Sequence, residues 1–186
     1  MMQKNILIVA GHPDLSRSLA NRTILDEVAA QLPQAEIRKL SELYPDYRID
    51  VAAEQVALQN ADVIVWQFPF SWYALPGLMK VWLDEVFLHG FAHGSTAKLG
   101  GKKLILSFTT GAPEATYACD GLMQHNVEDY LAAFESTAIL CGLDLQPAVY
   151  TCGIGYTTRG NEAAIAAQRE AAKAHAQRLL AVIEAV

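Results

Sequence analysis

The chain predicts an α/β fold: an open, doubly wound sheet of five parallel strands with helices on both faces. Three observations carry this. Its main apolar runs, such as Asn5–Ala10 and Ala61–Phe68, are continuous rather than alternating, as expected of strands covered on both sides. Helix-periodic segments separate the strands almost throughout, and parallel neighbours need such crossover connections. The count is five strands, too few for the longer six-stranded dinucleotide-binding arrangement.

Taken in order, Asn5–Ala10 is the first strand, and a polar turn, Gly11–Arg17, follows it. A helix runs from about Ser18 to Leu32, with Leu19, Ile24, Leu25 and Val28 spaced to face a core, and Pro33 stops it. Glu36–Leu40 alternates in the manner of a strand, and Val51–Gln59 reads as a short helix. Ala61–Phe68 is a buried strand that empties into Pro69-Phe70-Ser71-Trp72-Tyr73, after which proline at the first helical position starts a helix from Pro76 to about Leu88. Lys103–Thr109 is the fourth strand. A helix over about Val127–Cys141 ends at Gly142, a suitable C-cap residue. Leu145–Thr151 is the fifth strand, and Asn161–Val186 is a long, Ala-rich helix. This succession matches the flavodoxin-like strand order 2-1-3-4-5 in a single domain spanning residues 1–186.

Composition excludes several classes of function. At 52% apolar and 18% charged, the 186 residues are too apolar for disorder, yet no apolar run approaches the ~20 residues of a membrane span. A net charge of −6 argues against a nucleic-acid partner, since phosphate contacts need clustered Lys and Arg. Cys119, Cys141 and Cys152 form no C-x-x-C pair, so they are expected as small buried hydrophobes rather than disulfides or a zinc site. No metal site is expected: His89 and His93 have the i, i+4 spacing, but Gly90 interrupts them. His125 and His175 read as surface residues. The start, MMQKNILIVAGHPD, lacks a small-residue cleavage site and flows into the first strand, so the protein is expected in the cytoplasm.

The chemistry concentrates in three loops at the carboxyl edge of the sheet, where open α/β sheets bind ligands. Gly11–Ser18 carries His12, Ser16, Arg17 and Ser18 just before a helix, a combination that suits phosphate, although Ser18 serves equally as an N-cap. Pro69–Tyr73 offers aromatic surface. Thr109-Thr110-Gly111-Ala112 offers hydroxyls and a glycine that lets backbone approach a ligand. Neither G-x-G-x-x-G nor G-x-x-x-x-G-K-[ST] occurs. Phosphate at one loop and a planar heterocycle between the other two describe flavin mononucleotide, and packing of the aromatics on a neighbouring subunit is compatible with it. The chain has little material to hold an adenosine half, which favours FMN over FAD.

Three motifs then carry a resemblance. They are GHPD with S-x-A-N (Gly11–Asp14, Ser18–Asn21), the long W-x-x-P-x-x-W-Y-x-x-P-x-x-x-K-x-W-x-D-x-V-F from Trp66 to Phe87, and TTG at Thr109–Gly111. Together they resemble the NAD(P)H:quinone oxidoreductase family of flavodoxin-like flavoproteins. The likeness is greatest to its short bacterial branch, which includes the ancillary flavoproteins of glutathione-gated potassium efflux systems. The resemblance implies FMN held by His12, Ser18, Leu19, Ala20 and Asn21 at its phosphate and ribityl chain. It also implies Pro69, Phe70, Ser71, Trp72 and Tyr73 along the ring, with Thr109, Thr110, Gly111 and Ala112 closing the other side. It implies NAD(P)H as electron donor, a quinone as acceptor, and two successive hydride transfers through flavin N5.

Larger members carry a Tyr and, six residues on, a His with charge-relay roles; here those positions are Tyr150 and Tyr156. Ala112-Pro113 stands where many relatives have further glycines, and Tyr117 is placed to cover the flavin. Phe87, Phe91, Trp72 and Tyr73 would form an apolar patch of the kind that marks an interface, and the resemblance implies a homodimer. A different class of role, as regulatory partner of a potassium-efflux transporter at the inner face of the membrane, is also compatible with the resemblance; a flavodoxin-like electron carrier fits less well, because small carriers are usually more acidic and monomeric and lack the long aromatic middle motif.

Overall fold

A computed structural model describes residues 4–155 and 160–186. The elements are β1 (Ile6–Ala10), α1 (Leu19–Gln31), β2 (Glu36–Lys39), α2 (Leu40–Leu43), α3 (Val51–Asn60), β3 (Val63–Pro69), α4 (Gly77–Val86), β4 (Lys103–Thr109), α5 (Ala132–Cys141), β5 (Asp144–Leu145), β6 (Val149–Thr151) and α6 (Glu162–Ala185). All described strand pairs are parallel, in the order β2-β1-β3-β4-β5, and β6 also pairs with β4. This is the flavodoxin-like order expected from the sequence.

Strand alternation divides the core between the two faces of the sheet. Leu7, Val9, Ile64, Trp66, Phe68, Leu104 and Leu106 join one apolar cluster with Leu58, Met79, Trp82 and Phe134, beneath α3, α4 and α5. Ile6, Ile8, Val63, Val65 and Ile105 join the other with Ile24, Val28, Ala176 and Leu179, beneath α1 and α6. Because both faces are covered, neither shows a polar stripe, which is why the strands read as unbroken apolar runs.

Several expectations need correction. The fifth strand is not continuous: Leu145 pairs with Leu104 and Val149 with Ser107, so between these pairs three residues of the edge stand against two of β4. Pro147 has no amide to give a ladder, and the extra residue is accommodated there as a bulge. The helix after the aromatic loop covers Gly77–Val86 only, with Pro76 as its N-cap at φ −59°. His89 and His93 therefore lie beyond the helix, in a turn where Gly90 has φ +86° and its amide donates to the His93 carbonyl at 2.8 Å. Cys141 is buried as expected, whereas Cys119 is exposed. Tyr117 is buried in the core beside Tyr130, 6.2 Å away edge-on. His175 is buried completely, because it lies on the inward face of α6 with Ala172, Ala176 and Leu179.

Of the four aromatics expected in an exposed patch, only Trp72 is exposed. Phe87 and Phe91 are half-buried against the core, and Phe87 meets Trp66 at 5.7 Å and Trp82 at 5.6 Å. Among the described residues no helix is long and apolar enough to cross a membrane.

Candidate functional site

Backbone bonds tie the loops at the carboxyl edge to one another. The Gly11 amide donates to Gln67 O and that of Phe70 to Thr109 O, both at 2.8 Å. The Thr110 amide donates to Thr151 O at 3.0 Å, and that of Ile154 returns to Thr110 O at 2.8 Å. Gly11 is required by packing: a Cβ there would lie 2.2 Å from the Met79 sulfur, so α4 presses directly on the end of β1.

Between these loops lies a cleft of about 560 Å³, within the range of roughly 300–1,000 Å³ typical of small-molecule sites. It is lined by Ser16 and Arg17 of the phosphate-suited loop and by ten of the fourteen residues that the resemblance assigned to the cofactor: His12, Ser18, Leu19, Ala20, Asn21, Pro69, Phe70, Ser71, Thr109 and Gly111. Four others do not line it. Trp72 is 91% exposed on the rim, and Tyr73 stacks on Tyr130 at 4.9 Å. Thr110 is buried, with its hydroxyl donating to Ala112 O at 2.9 Å, and Ala112 is half-buried against the core. Sequence reasoning missed Arg22, Ile154, Gly155, Ile165 and Gln168, which also line the cleft. The i, i+3 pair Ile165 and Gln168 on the first turns of α6 was the available signal.

One end of the cleft is built to receive an anion. Ser18 caps α1, its hydroxyl oxygen accepting the Asn21 amide at 3.1 Å, so helix N–H groups and the positive end of the dipole face the space. Arg17 and Arg22 add positive charge to the lining. His12 Nδ1 accepts the Asp14 amide at 3.0 Å, which leaves Nε2 as the donor of the neutral ring. Burial pushes the His12 imidazole below its ordinary value, partly opposed by the charge of Asp14, so it is neutral at pH 7. Asp14 is occupied: its carboxylate accepts both the amide of Ser16, at 3.1 Å, and its hydroxyl, at 2.6 Å. Those bonds hold the Asp14 carboxyl below the usual range.

The other end is flat and apolar. Phe70 is buried against Phe108, ring centres 4.9 Å apart, and Phe108 stacks on Tyr150 at 5.4 Å. Nothing lies within 4 Å of where a Cβ of Gly111 would stand, so the backbone there is open to close approach. Tyr150 lies outside this lining and borders a second cleft; its phenol donates to Glu128 at 2.6 Å. Burial and the Glu128 carboxylate push the Tyr150 phenol well above its ordinary value. Tyr156 lies outside the described residues. Among those described, no cluster of His, Cys, Asp and Glu has the form of a metal site.

A family model described as "Flavodoxin-like fold" matches residues 4–176. The chain belongs to that flavodoxin-like family. One flavodoxin-like relative of known structure is general stress protein 14 from Treponema denticola, in complex with FMN. It is 35% identical over 97% of this chain and 99% of its own, with a TM-score of 0.84. A second, 32% identical over 91% of this chain and 97% of its own (TM-score 0.80), is described as a thermophilic tryptophan halogenase from Streptomyces violaceusniger. A third, an NADPH-quinone reductase from P. pentosaceus, shares the fold at 24% identity, covering 95% and 97%, with a TM-score of 0.76. Differently named proteins at similar likeness mean that membership fixes the fold and not the electron acceptor.

Proposed function

We infer that the protein is an FMN-containing, NAD(P)H-dependent quinone reductase. The observation that carries this reading is the cleft itself. A capped helix N-terminus, two arginines and a neutral His12 stand at one end, Pro69–Ser71 with Gly111 stand at the other, and Thr109, which shares the Asn21 amide group with Ser18, lies between them. The donor set fits the cofactor: a phosphate would meet only donors at Ser18, Arg22 and the α1 amides, and a planar ring would lie against Pro69 and Phe70. The 35%-identical relative solved with FMN supports the same cofactor.

Bound FMN would supply the redox chemistry, taking two electrons as hydride from the nicotinamide and passing them to the acceptor. The protein's share is binding and orientation. Leu19 and Ala20 bring first-turn amides of α1 to the phosphate end, where the Asn21 amide is taken up by the Ser18 cap. Ser71 and Gly111 offer polar backbone beside the ring, while Trp72 and Tyr73 border the open side through which donor and quinone enter in turn, a ping-pong cycle. Any role for Tyr150 is that of a neutral phenol bonded to Glu128. The exposed Trp72, together with Leu122, Ile139 and Leu140, supports a homodimer.

The test is direct. Purified protein should be yellow, with the visible bands of oxidised flavin. Stopped-flow mixing with NADH or NADPH should bleach them, and a quinone should restore them. A colourless protein that takes up no FMN and consumes no NAD(P)H with a quinone would overturn the reading.

A further inference from the structure

A hydrogen-bonded chain runs beneath the cleft from the opposite edge of the site, and its direction turns on the tautomer of His175. A guanidinium only donates, so Thr151 Oγ1 accepts from Arg178 Nη2 at 2.8 Å. That leaves the Thr151 hydroxyl a proton and a second lone pair, so toward His175 Nδ1, 2.9 Å away, it donates or accepts according to the His175 tautomer. His175 is fully buried and neutral, its imidazole pushed down to about 3 by burial and by Arg178. With Nδ1 accepting, its proton sits on Nε2 and is given to Ser107 Oγ at 2.8 Å. Ser107 donates to Gln67 Oε1, and Gln67 Nε2 donates to Asn21 Oδ1 at 2.9 Å. Asn21 Nδ2 donates at 3.2 Å to both Ser18 Oγ and Thr109 Oγ1.

The chain therefore ends on two hydroxyl oxygens that accept from behind. Neither hydroxyl proton has a protein acceptor among the described residues, and both residues line the cleft. We propose that Arg178, Thr151 and His175 are positioning residues that, through Ser107, Gln67 and Asn21, turn the Ser18 and Thr109 hydroxyls into donors toward an anionic ligand group. If His175 carried its proton on Nδ1, the links from Ser107 onward would reverse. Ser18 and Thr109 would then donate inward to Asn21 and offer lone pairs to the ligand, which repel a phosphate. A buried ring on α6, joined to the cleft through Ser107, Gln67 and Asn21, thus sets the polarity of the site.

The inference rests on the cleft being an FMN site, and its test separates the two. In ¹⁵N-labelled apoprotein, the His175 ring should show a protonated Nε2 and a bare Nδ1; the opposite tautomer overturns the proposal. Thr151→Val keeps the shape but removes the link between Arg178 and His175. Measured by calorimetry, the ratio of FMN to riboflavin affinity should fall about tenfold, the size of one charge-assisted hydrogen bond, and Thr151→Ser should restore it. A merely structural role would weaken both ligands alike. An unchanged ratio, or no rescue by serine, overturns the proposal. If the wild type binds neither flavin, the FMN reading itself has failed. Inorganic phosphate then becomes the probe: weaker binding to Thr151→Val supports the proposal and equal binding overturns it.

Discussion

Trp72 and Tyr73 have φ of 51° and 64°, and the Ala74 amide closes the turn onto Ser71 O at 3.1 Å. Positive φ at both central positions belongs to a type I′ turn, which favours Asn-Gly. A left-handed bulky residue costs of order 1 kcal/mol or more, and Trp72 recovers little of it because its ring is in solvent. Strain kept at the rim of a binding cleft points to a ligand or partner as its reason. Trp72→Asn should therefore raise stability by about 1 kcal/mol in urea unfolding while weakening flavin affinity; a variant that gains nothing in stability removes the strain argument. His175 gives a second prediction at this scale. Its folded-state value, about 3, lies below the unfolded 6.5, so the unfolded chain binds the extra proton as pH falls between them. Stability should fall through that window, by about 2 kcal/mol from this residue alone between pH 7 and pH 5. His175→Gln should flatten that part of the pH dependence of the urea midpoint. An unchanged slope would show that the ring is not held neutral.

Buried charge at the junction of β2, α2 and α3 decides how those elements meet. Glu54 is wholly buried in α3, where it accepts from Arg38 Nε at 2.7 Å, Tyr44 OH at 2.5 Å and Trp82 Nε1 at 2.8 Å. Breaking such a pair costs more than never having it. Arg38→Met should destabilise by about 3–5 kcal/mol, and adding Glu54→Leu should recover much of the loss by removing the uncompensated carboxylate. A double variant no better than the single would mean that packing rather than charge holds the junction; denaturant midpoints of the wild type and the two variants decide it. Elements were legible in the sequence where a local signal dominates. β1, β3 and β4 announce themselves as apolar runs, α1 by the Ser18 cap, and α5 by Gly142, which sits at φ 64° as a left-handed cap. The edge strand was misjudged because its bulge depends on pairing with β4, a tertiary fact that Pro147 only hints at. The inward face of α6 was misjudged because alanine hides the periodicity that puts His175 beside Ala172 and Ala176.

At the scale of the whole molecule, the sequence placed the three loops together because strand order dictates it. It could not say which side chains of a loop turn inward. Phe70 lines the cleft while Trp72, two residues on, is exposed, and that difference comes from the turn rather than from hydrophobicity. The same holds for the apolar surface. Phe87 and Phe91 are half-buried against the core, and the most exposed large apolar side chains are Trp72, Leu122 at 82%, Ile139 at 80% and Leu140 at 64%. Single exposed apolar residues are ordinary, but Ile139 and Leu140 are consecutive on the last turn of α5, on a helix whose inner residues already fill the core. A second copy of the chain is the occupant that the homodimer reading assigns to them. Sedimentation equilibrium of the flavin-loaded protein should then give the mass of two chains, and Ile139→Lys with Leu140→Lys should give one. A wild type that sediments as a monomer with flavin bound refutes the dimer. A dimer that survives both lysines moves the contact to the Trp72 and Leu122 side. In that case Trp72→Asn should dissociate it, and flavin affinity should fall in step with dissociation because the rim of the cleft would be shared between the two chains.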